Sequence, residues 1–531
     1  MNRLVRIVAV VCVSTCALAS TRTQSRDLVV KIESGVVRGA QSPGYPNLIF
    51  FRGIPYSAPP LGDLRWKPPQ PPLRWTGVRK AEELSPACPQ SDTWFWIRQR
   101  LLNQLGGDPS KARPMDKTSE DCLYLNVMTP HPGSSQRLPV MFYIHGGGGT
   151  IGRGDDDGAA LAATGKVVVV TINYRLGALG WFSHPALTAE SEHHSSGNYG
   201  LLDQIAALQW VRRNITQFGG DPDNVTIWGH SSGGGYVGML MISPLARGLF
   251  HRAIMQSGVP FDPQPRLHDS VGNLPSAEES GVKIARSLGA DGADALAKLR
   301  STPAEKLIKI DMSSDTIVDG WVVTDQPLAM FARGQEADVP VIVGSTEREM
   351  ANLISFSPDL SADAYHSWIK DFLGPLADEG LRVYSAPSTG DASAEFIRAQ
   401  SDLYFTAPAR WLAQSMRNKK SKAFLYHSTY SFDSPGGGRW GAFHGSDLTL
   451  LFDYTGIPRN QSGDALARAM RQYWIQFAKT GDPNVPDQPK WPRYDAVTGA
   501  YLDLGEPIHA SVSLHPEAFD LIDQLYTSRQ R

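Results

Sequence analysis

The feature that most narrows what this chain can fold into is the pentapeptide Gly229-His230-Ser231-Ser232-Gly233. It follows the apolar run Val225 to Trp228 and opens a helix-forming stretch from Ser232 to Met241. A strand, a sharp turn and a helix in that order hold a serine clear of a sheet, because small residues two positions either side let the backbone turn tightly. The helix beginning after Ser231 also points free N–H groups and its positive end at negative charge developing beside the serine. The bare pattern is common by chance, and a glycine-rich helix cap is the reading without chemistry. The strand–turn–helix setting favours a nucleophile at Ser231.

A serine attacking an acyl carbonyl needs donors for the charge that collects on oxygen. The run His145-Gly146-Gly147-Gly148-Gly149 follows the apolar segment Leu138 to Ile144, where such a donor loop belongs in this topology. Glycines let backbone N–H groups come close to a substrate oxygen. Gly147, Gly148 and the N–H of Ser232 together make a candidate three-donor hole. A phosphate-binding loop is the alternative, but no lysine stands at P-loop spacing.

Around these motifs, short β-rich pieces are predicted at Leu28 to Ile32, Gly35 to Gly39 and Leu48 to Phe51, an antiparallel start to a sheet. Lys166 to Tyr174 contains four consecutive valines, as in a strand buried on both faces. Leu201, Leu202, Ile205, Leu208, Val211 and Ile215 recur at helical spacing. Val339 to Val343 and Ala423 to Tyr426 read as further strands, and the more polar stretch from Pro260 to Ala337 as an irregular cap. Buried strands alternating with helices predict an α/β fold with a large, mostly parallel sheet flanked by helices.

The 531 residues carry 51 basic and 53 acidic side chains with no long like-charge run, which argues against nucleic acid or an anionic membrane as a partner. Arg3 and Arg6, the apolar stretch Ile7 to Leu18 and the small-x-small Ala17-Leu18-Ala19 predict a signal peptide over 1–19. Residues 20–531 are read as one domain without a membrane span. Removal of the leader, with Cys12 and Cys16, leaves Cys88 and Cys122 as an even pair bound for an oxidising compartment. A disulfide is expected, closing a loop of about 35 residues and contributing roughly 4 kcal/mol. No His, Cys, Asp and Glu cluster has metal-ligand spacing, so neither a metal nor a cofactor is expected.

Several further segments carry a resemblance. They are Phe51-Arg52-Gly53-Ile54-Pro55-Tyr56, Ser119-Glu120-Asp121-Cys122-Leu123-Tyr124-Leu125-Asn126, Asn173-Tyr174-Arg175, Phe218-Gly219-Gly220-Asp221-Pro222 and Gln256-Ser257-Gly258. With the glycine run and the serine motif, they resemble the type B carboxylesterase and cholinesterase family from about residue 30 to beyond Trp491. The resemblance implies an α/β-hydrolase fold and a serine carboxylesterase acting on a small-molecule ester. It also implies a triad in which His444, within Ala442-Phe443-His444-Gly445-Ser446-Asp447, is the base. Glu349 is the matching acid, with Glu347 the runner-up. Arg65 and Glu120 match a scaffold ion pair, and Cys88 and Cys122 match the ends of a family disulfide loop. A catalytically silent esterase-like adhesion or binding protein is the alternative class, although such proteins lack a triad member.

The chain departs from the family pattern beside the site. His230 stands where Glu is usual and Gly149 where an aromatic is usual. His230, Gly149 and Asp447 are therefore expected around the substrate pocket, with Asp447 within pairing reach of His230. Loss of the usual carboxylate favours neutral or anionic esters, and Arg153, Arg348 and Arg439 are candidates to meet an anionic acyl group such as that of a fumonisin-type toxin.

Overall fold

The computed structural model describes residues 28–529 apart from 113, 115–116, 131, 134, 313–315, 354–359 and 453–456. The expected signal peptide, with Cys12 and Cys16, lies outside the described residues.

The strands in chain order begin with β1 (Val29–Ile32), β2 (Gly35–Arg38), β3 (Ala40–Gln41), β4 (Ile49–Pro55), β5 (Val78–Lys80) and β6 (Tyr124–Thr129). They continue with β7 (Leu138–Ile144), β8 (Val168–Ile172), β9 (Gly220–His230) and β10 (Arg252–Gln256). The last are β11 (Val341–Thr346), β12 (Ala423–Ser428), β13 (Tyr501–Asp503) and β14 (His509–Ser511). β1, β2 and β5 form a small separate sheet. The other strands make one sheet in the order β14-β13-β12-β11-β10-β9-β7-β8-β6-β4-β3. From β13 to β8 all neighbours run parallel, while β3, β4 and β6 at one end and β14 at the other pair antiparallel.

The parallel centre is where the sequence is most apolar. Val167 to Val170 are each 0 % exposed, as a strand covered by helices on both faces requires. Helix α1 (Tyr199–Asn214) buries the predicted apolar positions Leu201, Leu202, Ile205, Leu208 and Val211, and Ile215, the last of them, is buried in the turn that follows. Helix α2 (Ser232–Ile242) is buried almost all round, and helix α3 (Gln461–Thr480) lays Met470, Tyr473, Trp474 and Phe477 into the core. α3 is capped by Asn460 Oδ1, which accepts from the Gly463 N–H at 2.8 Å. The stretch expected to be irregular holds helices at Ala277–Ser287, Ala295–Ser301 and Pro327–Ala332. Its polarity misled the prediction because a helix such as Ala277–Ser287 exposes Glu279, Lys283 and Arg286 on one face, and is capped by Ser276 Oγ accepting from the Glu279 N–H at 3.1 Å.

Two buried arginines tie the connections to the sheet. Arg65 meets Glu120 at 2.8 and 2.5 Å and donates to the Thr302 carbonyl at 2.6 Å. Arg175 meets Asp203 in a two-pronged contact of 2.8 and 2.7 Å. Cys88 and Cys122 are joined in a disulfide. No helix among the described residues is long and apolar enough to cross a membrane.

The strand order itself points to a site. β7 and β9 are parallel neighbours, with β8 beyond β7 and β10 beyond β9. Chain connections therefore leave the β7/β9 boundary in opposite directions, and a crevice opens where such a reversal meets the carboxyl ends of the strands.

Candidate active site

At that crevice the two motifs leave the sheet side by side. Ile144 pairs with Gly229 at the end of the β7/β9 ladder, so the glycine loop and the turn at Ser231 emerge together. Ser231 has φ 58° and ψ −131°, a strained conformation for a residue with a side chain, worth about 1–3 kcal/mol. The crossing is tight. A Cβ on Gly229 would stand 2.2 Å from the Gly233 carbonyl oxygen, and one on Gly233 would stand 2.2 Å from that of Ile144. The turn is pinned from the next strand by the Ser231 N–H donating to the Gln256 carbonyl at 2.8 Å.

Two distant segments complete the group. Glu349 lies three residues beyond β11 and is 0 % exposed. Its Oε2 meets His444 Nδ1 at 2.6 Å, while its Oε1 accepts from the Thr346 N–H at 2.7 Å. The neighbouring Glu347 is exposed, so it is Glu349 that the fold turns inward to the imidazole. The His444 loop is held against the acid loop by the Arg348 N–H donating to the Ala442 carbonyl at 2.9 Å and by Asn352 Nδ2 donating to that of His444 at 3.3 Å. The His444 ring packs between Phe405, at 5.2 Å, and His230, at 4.6 Å, the residue before Ser231. Ser231 and His444 share no hydrogen bond in this structure; catalytic hydrogen bonds often tighten only as the reaction proceeds.

The N–H groups of Gly147 and Ser232 donate to nothing among the described residues, which leaves them available to a ligand oxygen. The third candidate donor is engaged, since the Gly148 N–H donates to Ser232 Oγ at 2.9 Å. No local pattern signals this contact, which spans two motifs. Gly149 is bonded into the scaffold, its carbonyl accepting from the Gly177 N–H at 2.7 Å and Trp181 Nε1 at 2.9 Å.

Two expectations about the pocket are corrected. Asp447 does not pair with His230: it is 0 % exposed, and Gln256 Nε2 and Tyr426 Oη donate to it at 2.8 and 2.6 Å. Burial pushes its carboxyl up, with these two bonds opposing. His230 is buried, and its Nε2 has no partner. Burial and the neighbouring His444 both push its imidazole well down, and its ring lies against that of His444. The arginines fare no better as anion receptors. Arg153 pairs with Asp155 at 2.8 Å, and Arg348 Nε donates to the Trp440 carbonyl at 3.3 Å. Neither they nor Arg439 line the cavity of about 410 Å³ beside Ser231. That cavity is walled by Tyr236, Met239, Pro260, Tyr404 and Phe405, with Asp262 the one charged residue among its described lining.

Buried neutral histidines make the fold acid-sensitive. Burial pushes His145, stacked on Tyr174, down to about 4, and pushes His427, with His515 adding to it, down to about 3. Below the ordinary value near 6.5 the unfolded chain binds these protons and the folded chain does not, so stability is lost as pH falls. Each contributes about 2 kcal/mol of loss by pH 5. The raised His515, paired with Asp402, works in the opposite direction. A melting temperature that falls between pH 7 and pH 5 is the expected result; a constant one contradicts burial of both rings in the neutral form.

Comparison with known proteins gives a consistent result. The model of the carboxylesterase family matches residues 26–521. A fumonisin B1 esterase of Sphingopyxis macrogoltabida is 35 % identical over 533 residues, covering 94 % of this chain and 92 % of that one. The cocaine esterase of Homo sapiens is 35 % identical over 484 residues, covering 86 % and 83 %. Among solved structures, a PNB esterase superposes with a TM-score of 0.78 at 31 % identity, covering 93 % of this chain and 100 % of that one.

Proposed function

The chain belongs to the carboxylesterase family and is a carboxylic-ester hydrolase, and we propose that Ser231, His444 and Glu349 carry its reaction. His444 takes the Ser231 proton as Oγ attacks the ester carbonyl. The N–H groups of Gly147, Gly148 and Ser232 receive the oxyanion. His444 then protonates the leaving alcohol, and water releases the acid from the acyl-enzyme by the same steps. Glu349 fixes the imidazole and stabilises its charged form. The observation that carries this reading is the 2.6 Å contact of a fully buried Glu349 with His444, beside a serine held in a strained turn.

The test is covalent. A fluorophosphonate that abolishes turnover of a chromogenic ester should add its mass to the peptide bearing Ser231. Full turnover after stoichiometric labelling, or a label on another serine, removes the assignment.

The Ser232 hydroxyl competes with substrate for the Gly148 N–H in this reading. Ser232→Ala is expected to raise kcat/KM by roughly fivefold, the worth of a net hydrogen bond of about 1 kcal/mol. A fall would instead make the hydroxyl one of the donors.

For substrate, the apolar and aromatic cavity supports neutral esters, from small to bulky, since a carboxylate on the acyl group would meet Asp262 and no cation among the described lining. The likeness to a fumonisin B1 esterase favours a second reading, a polycarboxylate ester. An ester panel varying acyl charge at fixed alcohol separates them. We also read residues 20–531 as one domain, supported by the single large sheet running from Ala40 to Ser511. Export by the predicted leader is supported by the Cys88–Cys122 disulfide.

A further inference from the structure

The glycine loop is held in place from the far side by a segment that belongs to neither motif. Gln90, two residues after Cys88, is 5 % exposed. Its Oε1 accepts from the Gly152 N–H at 2.7 Å, and its Nε2 donates to the Gly152 carbonyl at 2.7 Å and to the Cys88 carbonyl at 3.0 Å. One side-chain amide thus grips both backbone groups of Gly152, as a strand neighbour would. Gly152 is where the loop folds back on itself. It has φ +114°, and a Cβ there would stand 2.4 Å from His145 Nδ1 and 2.6 Å from the Gly146 carbonyl oxygen. Whatever fixes Gly152 therefore fixes the start of the run that carries Gly147 and Gly148.

A second contact from the same side agrees. Helix Thr93–Gln104, within the disulfide loop, sends Arg98 to Asp155 at 3.2 Å and Asp156 at 2.8 Å, just past the glycine loop. The other end of the disulfide, Cys122, stands two residues before β6 in the central sheet. A continuous path runs from β6 through the disulfide to Cys88, on to Gln90 and into Gly152.

We propose that Gln90 is a positioning residue for the oxyanion loop and that the Cys88–Cys122 disulfide fixes it against the sheet, so that the bridge tunes catalysis as well as stability. This rests on the reading that the Gly147 and Gly148 N–H groups receive the oxyanion. A donor displaced by a fraction of an ångström stabilises the transition state less while barely altering ground-state binding, so the effect falls on kcat.

The experiment measures kcat and KM for a chromogenic ester with Gln90→Leu, Gln90→Glu, the Cys88→Ser/Cys122→Ser pair, and the pair combined with Gln90→Leu. Gln90→Leu loses all three bonds and is expected to lower kcat by roughly 10- to 100-fold with KM within about twofold. Gln90→Glu keeps the acceptor for the Gly152 N–H and should fall between it and the native chain, and it serves alone if the leucine variant does not fold. The cysteine pair should lower kcat in the same way, and the combined variant should lose less than the product of the two effects. Hydrogen exchange in a peptide spanning 146–152 should quicken in each. A rise in KM at constant kcat, or unchanged kinetics, overturns the role of Gln90, and strict multiplicativity overturns the part given to the disulfide. Fluorophosphonate labelling of native Ser231 is read alongside. Labelling with unchanged Gln90→Leu kinetics sinks this proposal alone, whereas no label at Ser231 sinks the nucleophile reading and this one with it.

Discussion

Ser231→Ala is expected to fold as the native chain does and to lose on the order of 10⁶ in kcat, because triad members act as a unit and no partial reaction survives without the nucleophile. Folding should be spared because the serine hydroxyl holds nothing together. The turn is set by backbone, through the Ser231 N–H to Gln256 and the Gly235 N–H to the Ser231 carbonyl at 3.1 Å. Alanine meets the same backbone strain and makes the same two bonds. The measurement is ester turnover alongside a thermal melt. An unchanged melt with activity above about a hundredth of native would remove Ser231 from its role.

Glu349→Gln is expected to cost on the order of 10³–10⁴ in kcat, less than loss of the serine. The amide can still accept from the Thr346 N–H, so the loop keeps its course, but it can present an N–H to His444 Nδ1 and favour the wrong tautomer. It also leaves the imidazolium formed during attack without a counter-charge, in a place where Glu349 is 0 % exposed and the His444 side chain is only 10 % exposed. Glu347→Gln, on an exposed side chain, should change kcat by less than about twofold. Measured on one ester, the order Glu347→Gln milder than Glu349→Gln supports the assignment. The reverse order would move the acid by two residues.

The contrast between these residues marks how far the sequence could be read. Ser231 and the glycine run were legible because their chemistry is local: strand, turn and helix, or strand and glycine loop, each within a dozen residues. The parallel centre was legible for the same reason, since Leu138 to Ile144 and Val167 to Val170 are apolar without interruption. β6 was missed because Asn126 interrupts its apolar run, and β10 because only Ala253 to Met255 are apolar between Arg252 and Gln256; Asn126 and Gln256 are both buried with their amides bonded inside the fold. His444 and Glu349 came from likeness to a family, as nothing in thirteen histidines distinguishes one that a distant carboxylate will meet. Asp447 failed in the other direction. Its nearness to His444 in sequence implied a pairing with His230, but Gln256 and Tyr426, from β10 and β12, were already there to bond it. Gln90 carried no local signal beyond its place two residues after a cysteine, because its partner Gly152 lies across the fold.

The boundary between β7 and β9 has a bearing on how the molecule comes to be active during folding. Ile144 and Gly229 are neighbours in the sheet although a whole crossover unit of chain, with β8 and α1, lies between them. Parallel pairings at such separation form slowly, because the intervening loop must be closed before any contact rewards it. Helices such as Tyr199–Asn214 and Gln461–Thr480 need no such closure. In refolding, helical signal should therefore return ahead of turnover, and ester hydrolysis should report the last long-range step. A chain stalled before that pairing would hold every residue of the site and none of its chemistry.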